Sequence, residues 1–298
     1  MAVSRIDEAG LNVAQYGNRN LVINGAMQVA QRGTSVSGST GFYALDRWRG
    51  YSASSFPITQ ETFTLGQTDV PNEPKNYLRI GTGAAVKAVS QRIEGVRTGA
   101  GQTLTLSFYA KASAAFDLVM GYTQFFGSGG SAGVSATFET LSITTAWQKF
   151  EVTFTLPSIS GKTIGAGDFL QVTFADGGTY IPAATTFDIT QVQLEVGDTA
   201  TGFEHRFYGD ELARCQRYYC EISDGLQMVN FVVDNNFGIR RGSVLFPQKM
   251  RAAPTATGSI NDGTLFLTTY ADGVQLSQSG GTSNSTPSIS NLTFSAEL

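Results

Sequence analysis

The sequence predicts a mainly β protein: an antiparallel β-sandwich of jelly-roll type, then a short helix and a smaller C-terminal β-domain. Three observations predict it. Apolar residues alternate with Thr, Ser and Gln at period two in run after run. Glycine, at 34 of 298 residues, gathers between those runs, and only 15% of residues are charged. Alternation marks strands with one face in a core and one in water. Gly- and Ser-rich punctuation at short spacing marks the turns between them. The length suggests two domains at the usual ~150 residues each.

Residues 1–19 carry no core pattern and read as an arm or tether. The first domain spans residues 20–207 and opens on the apolar stretch Leu21-Val22-Ile23-Asn24-Gly25. Leu104, Leu106 and Phe108 then alternate with Thr and Ser, as do Phe150, Val152 and Phe154 with Glu and Thr, and Leu170, Val172 and Phe174 with Gln and Thr. Turns are expected at Gly33 to Gly41, Gly127 to Gly133 and Ser158 to Gly161. Phe187 and Ile189 take one parity while Val192 and Leu194 take the other, which predicts a strand buried on both faces or a bulge near Gln191.

A helix is expected over Asp210 to Tyr219. Gly209 or Asp210 caps it, acids fill its first turn, and Leu212, Cys215 and Tyr219 form its apolar stripe. The β pattern resumes at Val229 to Val233, Gly242 to Phe246, Gly263 to Thr269 and Ser290 to Ser295, so a second domain covers residues 208–298. No fixed period recurs, which argues against solenoids and propellers.

Composition excludes several functions. A net charge of −4 without a basic block argues against nucleic-acid binding. No apolar run approaches the ~20 residues of a spanning helix, so no membrane insertion is expected. The opening residues lack a secretory pattern, which predicts synthesis in the cytoplasm. Two cysteines, Cys215 and Cys220, support neither a disulfide framework nor a four-cysteine zinc site and read as free thiols. Triad chemistry would have to run through the single histidine, His205, which sits among aromatics and reads as a packed residue. Ser160-Gly161-Lys162-Thr163 has Leu156 where a phosphate loop needs glycine, and reads as a turn. Gly127-Ser128-Gly129-Gly130, with no lysine and no helix after it, reads as a loop between strands. Asp168, Asp176, Asp188 and Glu195 leave one enzymatic option, a glycosidase pair of acids.

The aromatic set is more informative. Tyr51, Tyr109, Tyr122 and Tyr180 fall at strand ends or loop edges, where a ring can stack on a sugar face while neighbouring polar side chains bind hydroxyls. These four are the candidate carbohydrate-binding residues. The alternative for each is that it closes the rim of the fold. Trp48, in Asp46-Arg47-Trp48-Arg49, reads as an anchor of the fold.

The motifs Asn20-Leu21-Val22-Ile23-Asn24-Gly25, Asp46-Arg47-Trp48, Gln91-Arg92-Ile93-Glu94-Gly95, Phe203-Glu204-His205-Arg206, Cys215-Gln216-Arg217-Tyr218-Tyr219 and Met250-Arg251-Ala252-Ala253-Pro254 stand in an order that resembles bacteriophage tail-fibre or receptor-binding proteins. The first domain also resembles the jelly rolls of carbohydrate-binding modules. The resemblance implies a non-enzymatic virion fibre that attaches to the host surface by binding glycan. Residues 1–19 would dock it on other virion proteins, it would assemble as a homotrimer, and its partner would be host surface polysaccharide. Two alternatives remain: a structural virion component such as a capsid decoration, head fibre or tail adaptor, and a polysaccharide depolymerase. The modules often hold a structural calcium between acids of the opening and closing strands. Here Ala26 and Gln28 stand where opening acids occur, which leaves Asp188 as the matching position; no other cofactor is implied.

Overall fold

The computed structural model describes residues 18–39, 41–83, 86–222, 226–227, 232–234, 239–280 and 288–298. They divide into two compact units between Phe207 and Tyr208, with Leu298 counted in the first.

The first unit is a sandwich of two six-stranded antiparallel sheets. One contains β1 (Ser35–Gly38), β4 (Phe56–Thr62), β5 (Asn76–Ile80), β12 (Phe187–Val196), β7 (Thr103–Ala112) and β10 (Gln148–Thr155), in that order. The other orders β2 (Phe42–Tyr43), β3 (Arg49–Tyr51), β6 (Ala88–Glu94), β11 (Phe169–Phe174), β8 (Phe116–Phe125) and β9 (Val134–Ile143). We call them the β12 sheet and the β11 sheet, after a central strand of each. Neighbours in each sheet are rarely consecutive in sequence, as a jelly roll requires.

The period-two runs behave as their chemistry dictates. Leu104, Leu106 and Phe108 of β7 and Leu170, Val172 and Phe174 of β11 are buried between the sheets. Phe174 meets Phe108 edge-on at 5.1 Å and Trp48 at 6.0 Å, tying the sheets together. β12 fulfils both halves of its expectation: it is buried on both faces through Glu195, and its register to β7 shifts between Thr190 and Gln193. Gln191 takes φ of 49° there, the left-handed conformation that a bulge accommodates.

The stretch at Leu21 is not a strand. It is a bent segment held by side chains, because Asn24, with φ of 59°, ties the chain to itself. Its amide donates to the carbonyls of Val29 and Asp46 at 2.9 and 3.0 Å, and its oxygen accepts from Val29 N–H at 3.0 Å. The Asn24 carbonyl in turn accepts from the Trp48 indole at 3.0 Å. The opening motif is therefore an internal brace, and Trp48 anchors it. Gly33 to Gly41, expected as a turn, contains the short β1. Gly127 to Gly133 is a loop, joined to its neighbour by the bridge Ser128–Ala166.

Of the expected arm, residues 1–17 lie outside the described residues. Asn18 and Arg19 belong to the sandwich: the Asn18 N–H donates to Glu204, and Arg19 donates to the Gly202 carbonyl.

The second unit begins with α1 (Tyr208–Gln216), which starts two residues earlier and ends three residues sooner than its pattern suggested. Its buried residues are Glu211 and Cys215, while Leu212 is half-buried and Tyr219 already belongs to β13 (Tyr219–Ile222). One described sheet pairs β13, β14 (Leu226–Gln227) and β17 (Thr255–Ile260) with β20 (Ser288–Ser295). Another orders β15 (Val232–Asp234), β16 (Ile239–Leu245), β19 (Gly273–Ser279) and β18 (Thr264–Thr269). The expected strand at Val229 to Val233 lies partly outside the described residues. A core of Phe246, Met250, Val274, Leu276, Ile289, Leu292 and Phe294 holds this unit.

Candidate functional site

Strand parity builds the site. On β6, Val89, Gln91 and Ile93 point into the sandwich, so Ala88, Ser90 and Arg92 stand on the outer face. On β11 the same rule puts Gln171 and Thr173 outside, on β3 Arg49 and Tyr51, and on β8 Gly121 and Thr123. Register then aligns them. Arg49 lies opposite Ser90, Ser90 opposite Thr173, and Thr173 opposite Gly121. One row along, Arg92 faces Gln171 and Gln171 faces Thr123.

These residues floor a groove of about 340 Å³, closed at one side by Ala175, Asp176 and Tyr180 of the loop after β11. The loop is brought there by the Ile181 N–H, which donates to the Lys87 carbonyl at 3.2 Å beside Ala88. From β3 to β8 the floor is about 14 Å wide, three interstrand steps.

The polar groups are ordered. Gln171 accepts from Arg92 Nε at 2.9 Å and donates to Thr173 at 3.0 Å. The Arg92 guanidinium lies over the Phe169 ring at 4.2 Å, and its Nη1 donates to a main-chain oxygen of Leu298 at 2.5 Å. Thr123 bonds Ser135 at 2.8 Å. Asp176 accepts from the Gly177 N–H at 2.8 Å through one oxygen, and its other oxygen rests over the bare α-carbon of Gly121. Tyr51 is 44% exposed and Tyr180 half-buried.

Of the four tyrosines singled out in the sequence, the groove therefore unites two, Tyr51 and Tyr180. Tyr109 is on β7 of the opposite sheet, beside Lys149 and Thr190. Tyr122 is a correction: it points inward, 6% exposed, and stacks on Phe154 of the facing sheet at 5.9 Å. Such a ring holds the sandwich together and offers no face to a sugar.

Asp188 also reads differently. Both of its oxygens accept from Arg79, at 2.8 Å each, and the pair lies on the outer side of the β12 sheet. A bidentate guanidinium engages both oxygens and compensates their charge, which competes with a calcium at this position. Among the described residues no group of three or more His, Cys, Asp or Glu is placed to hold a metal.

The four acids do not assemble. Asp188 and Glu195 sit seven residues apart on β12, about 23 Å along a strand. Glu195 is buried and accepts from Thr201 and Gln193. Asp168 accepts from the Val96 N–H at 2.6 Å. Asp176 is the one carboxylate among the residues lining the groove. His205 lines a separate cavity of about 170 Å³ with Glu73, Lys75 and Gln191 but no Ser or Cys. Burial lowers its pKa.

Sequence reasoning missed the polar half of the groove, Arg49, Arg92, Gln171 and Thr173, although their alternation with apolar residues was the signal. It also missed Phe63, Tyr77 and Trp147, which pack together on the β12 sheet with ring centres 4.8 to 5.4 Å apart. Those rings meet one another tilted or edge-on, so they cover the sheet and do not form a flat platform.

Fold and groove together define a jelly-roll sandwich with a tyrosine-flanked polar groove on one outer face. Among solved structures the chain is similar to a family 4 carbohydrate-binding module, at 20% identity and a TM-score of 0.33 over 58% of this chain and 98% of that one. It is similar to the first family 22 xylan-binding domain of Xyn10C from Paenibacillus barcinonensis, at 12% and 0.37 over 61% and 96%. It is also similar to the enzymatically active domain of tailspike protein 4 from bacteriophage CBA120, at 12% and 0.36 over 60% and 22%. No protein-family model and no curated protein sequence matches. Identity is low and superposition partial in each case, so the chemistry of the groove is read from its own residues.

Proposed function

We propose that the first unit is a non-catalytic glycan-binding module and that the groove across β3, β6, β11 and β8 is its binding face. The observation that carries this reading is the pairing of Tyr51 and Tyr180 with a floor of ordered hydroxyl, amide and guanidinium groups. A pyranose needs both: an aromatic face for its C–H surface and fixed donors and acceptors for its hydroxyls. A single lining carboxylate does not make the acid pair of a glycosidase, so binding without cleavage is the chemistry the groove supports.

The sequence motifs extend the proposal to context. The chain serves as a phage virion fibre, on the tail rather than the capsid surface. It is joined to other virion proteins through residues 1–19, assembled as a homotrimer, and directed at host surface polysaccharide. A glycan array probed with purified protein tests the binding reading. Retention of defined oligosaccharides, lost in Tyr51→Ala, is expected; no retention at millimolar sugar overturns it. Light scattering tests assembly, where a particle three times the 31.8 kDa of one chain is expected.

One observation favours the structural alternative. Leu245, Phe266 and Tyr270 of the second unit are exposed apolar side chains, at 78%, 52% and 53%, as a surface that packs on neighbours would present. If the chain were only a structural component, antibodies against the groove would leave host adsorption intact.

A further inference from the structure

We infer that the groove selects a glycan carrying carboxylates, a uronic-acid-type polymer, over a neutral one; this rests on the glycan-binding reading above. The chain has a net charge of −4, yet the groove lining holds two guanidinium groups against one carboxylate. The two are diagonal neighbours on the sheet: Arg49 lies opposite Ser90, and Arg92 is two residues along the same face of β6. Such positions are about 7–8 Å apart.

Their situations differ in a way that assigns roles. Arg92 is already fixed, bonded to Gln171 and lying over Phe169. Arg49 is half-buried in the groove floor, and its guanidinium makes no hydrogen bond or ion pair with any described residue. Lining arginines in a folded chain ordinarily find a carboxylate or carbonyl, because a partly desolvated guanidinium loses water contacts that something must replace. The planar fork of Arg49 matches a carboxylate in bidentate geometry.

Asp176, at the other side of the floor, separates the charges. It repels a carboxylate there and accepts hydroxyls, so the acid group is directed to the Arg49 side. A uronic sugar lying over Tyr51 would then present its carboxylate to Arg49, and further sugars of the same polymer would present hydroxyls toward Thr173 and Asp176.

Isothermal titration of the full chain with a galacturonate hexamer and with xylohexaose tests this. The galacturonate hexamer is expected to bind at least about tenfold more tightly, the scale of a charge-assisted hydrogen-bonded pair. That preference should shrink as NaCl rises from 50 to 500 mM. Arg49→Gln should bring the ratio of the two affinities to about one, and Arg49→Lys should leave it between the two. Thermal melting of each variant checks that it is folded. Equal binding of both hexamers by the unaltered chain overturns the inference and leaves glycan binding standing. An unchanged ratio in folded Arg49→Gln also overturns it. If neither hexamer binds and the array is empty, the glycan-binding reading falls and takes this one with it.

Discussion

Gly121 shows how one atom shapes the groove. A β-carbon there would stand 1.8 Å from Asp176 Oδ2, inside any van der Waals limit. Gly121→Ala must push the Asp176 carboxylate aside, so we expect weaker glycan binding with the sheet retained, read by titration beside a circular dichroism spectrum. Tyr51→Ala is the complement. The ring makes no hydrogen bond or ring contact with any described residue and is 44% exposed, so stability should move by no more than about 0.5 kcal/mol, while binding drops roughly tenfold. Lys87 behaves in the opposite way. Its ammonium is buried and donates to the carbonyls of Gly81, Thr185 and Ala183 at 2.7, 2.7 and 3.4 Å. Burial pushes its pKa down to about 8, while the three carbonyls favour the charged form. Lys87→Met strands those acceptors and should cost about 1–3 kcal/mol in urea unfolding. Asp188 yields a metal prediction. Because Arg79 engages both of its oxygens, EDTA should leave the melting temperature of the purified protein unchanged; a clear drop would show a bound metal ion.

At the scale of elements, strand parity was the most legible signal, and its limits are physical. Period two told which residues of β7, β10 and β11 face the core. It could not tell which sheet each strand joins, so Tyr51 and Tyr109, both outward, looked equivalent while standing on opposite faces of the sandwich. Tyr122 was misread because β8 carries apolar Val119 on its outer side and polar Gln124 on its inner side, which blurs the alternation. The Gln191 bulge was legible because a bulge inverts parity downstream. Asn24 was not, since a positive-φ brace leaves no periodic trace. Another such element is the clasp formed by residues 18–22 and 202–206. Burial raises the Glu204 pKa, but the N–H groups of Asn20 and Asn18, with Arg206 and Arg19, outweigh that and hold it below the ordinary value. A carboxyl depressed in the folded state contributes stability above its unfolded pKa of about 4.3. That contribution disappears as pH falls through the lower folded value. Glu204→Gln should therefore destabilise the protein at pH 7 and flatten the acid limb of its stability curve, measured by urea unfolding from pH 7 to pH 3.

For the whole molecule, two separate cores predict two unfolding events. The sandwich is built around Trp48, Phe108, Phe174 and Phe187, and the second unit around Phe246, Leu276 and Phe294. Calorimetry should resolve two transitions, and a single transition with equal calorimetric and van't Hoff enthalpies would show that the units unfold as one. The low charge that first marked the sequence now has a place. Outward positions on the sandwich are largely Thr, Ser and Gln, and two of the arginines stand in the groove. The two-unit division was legible because the helix pattern interrupts the strands, and the groove was half legible through its tyrosines.

The clasp has a further consequence. Residue 20 enters the sandwich beside the point where residue 206 leaves it: Arg206 donates to the carbonyls of Asn20 and Val22 at 2.5 and 3.1 Å, and Asn20 N–H donates to Glu204 at 2.8 Å. Tension applied between these two points travels through that short set of bonds and bypasses both sheets. A tether pulled from outside would thus strain the clasp first, and the groove would keep its shape, and its hold on a ligand, until the clasp gave way.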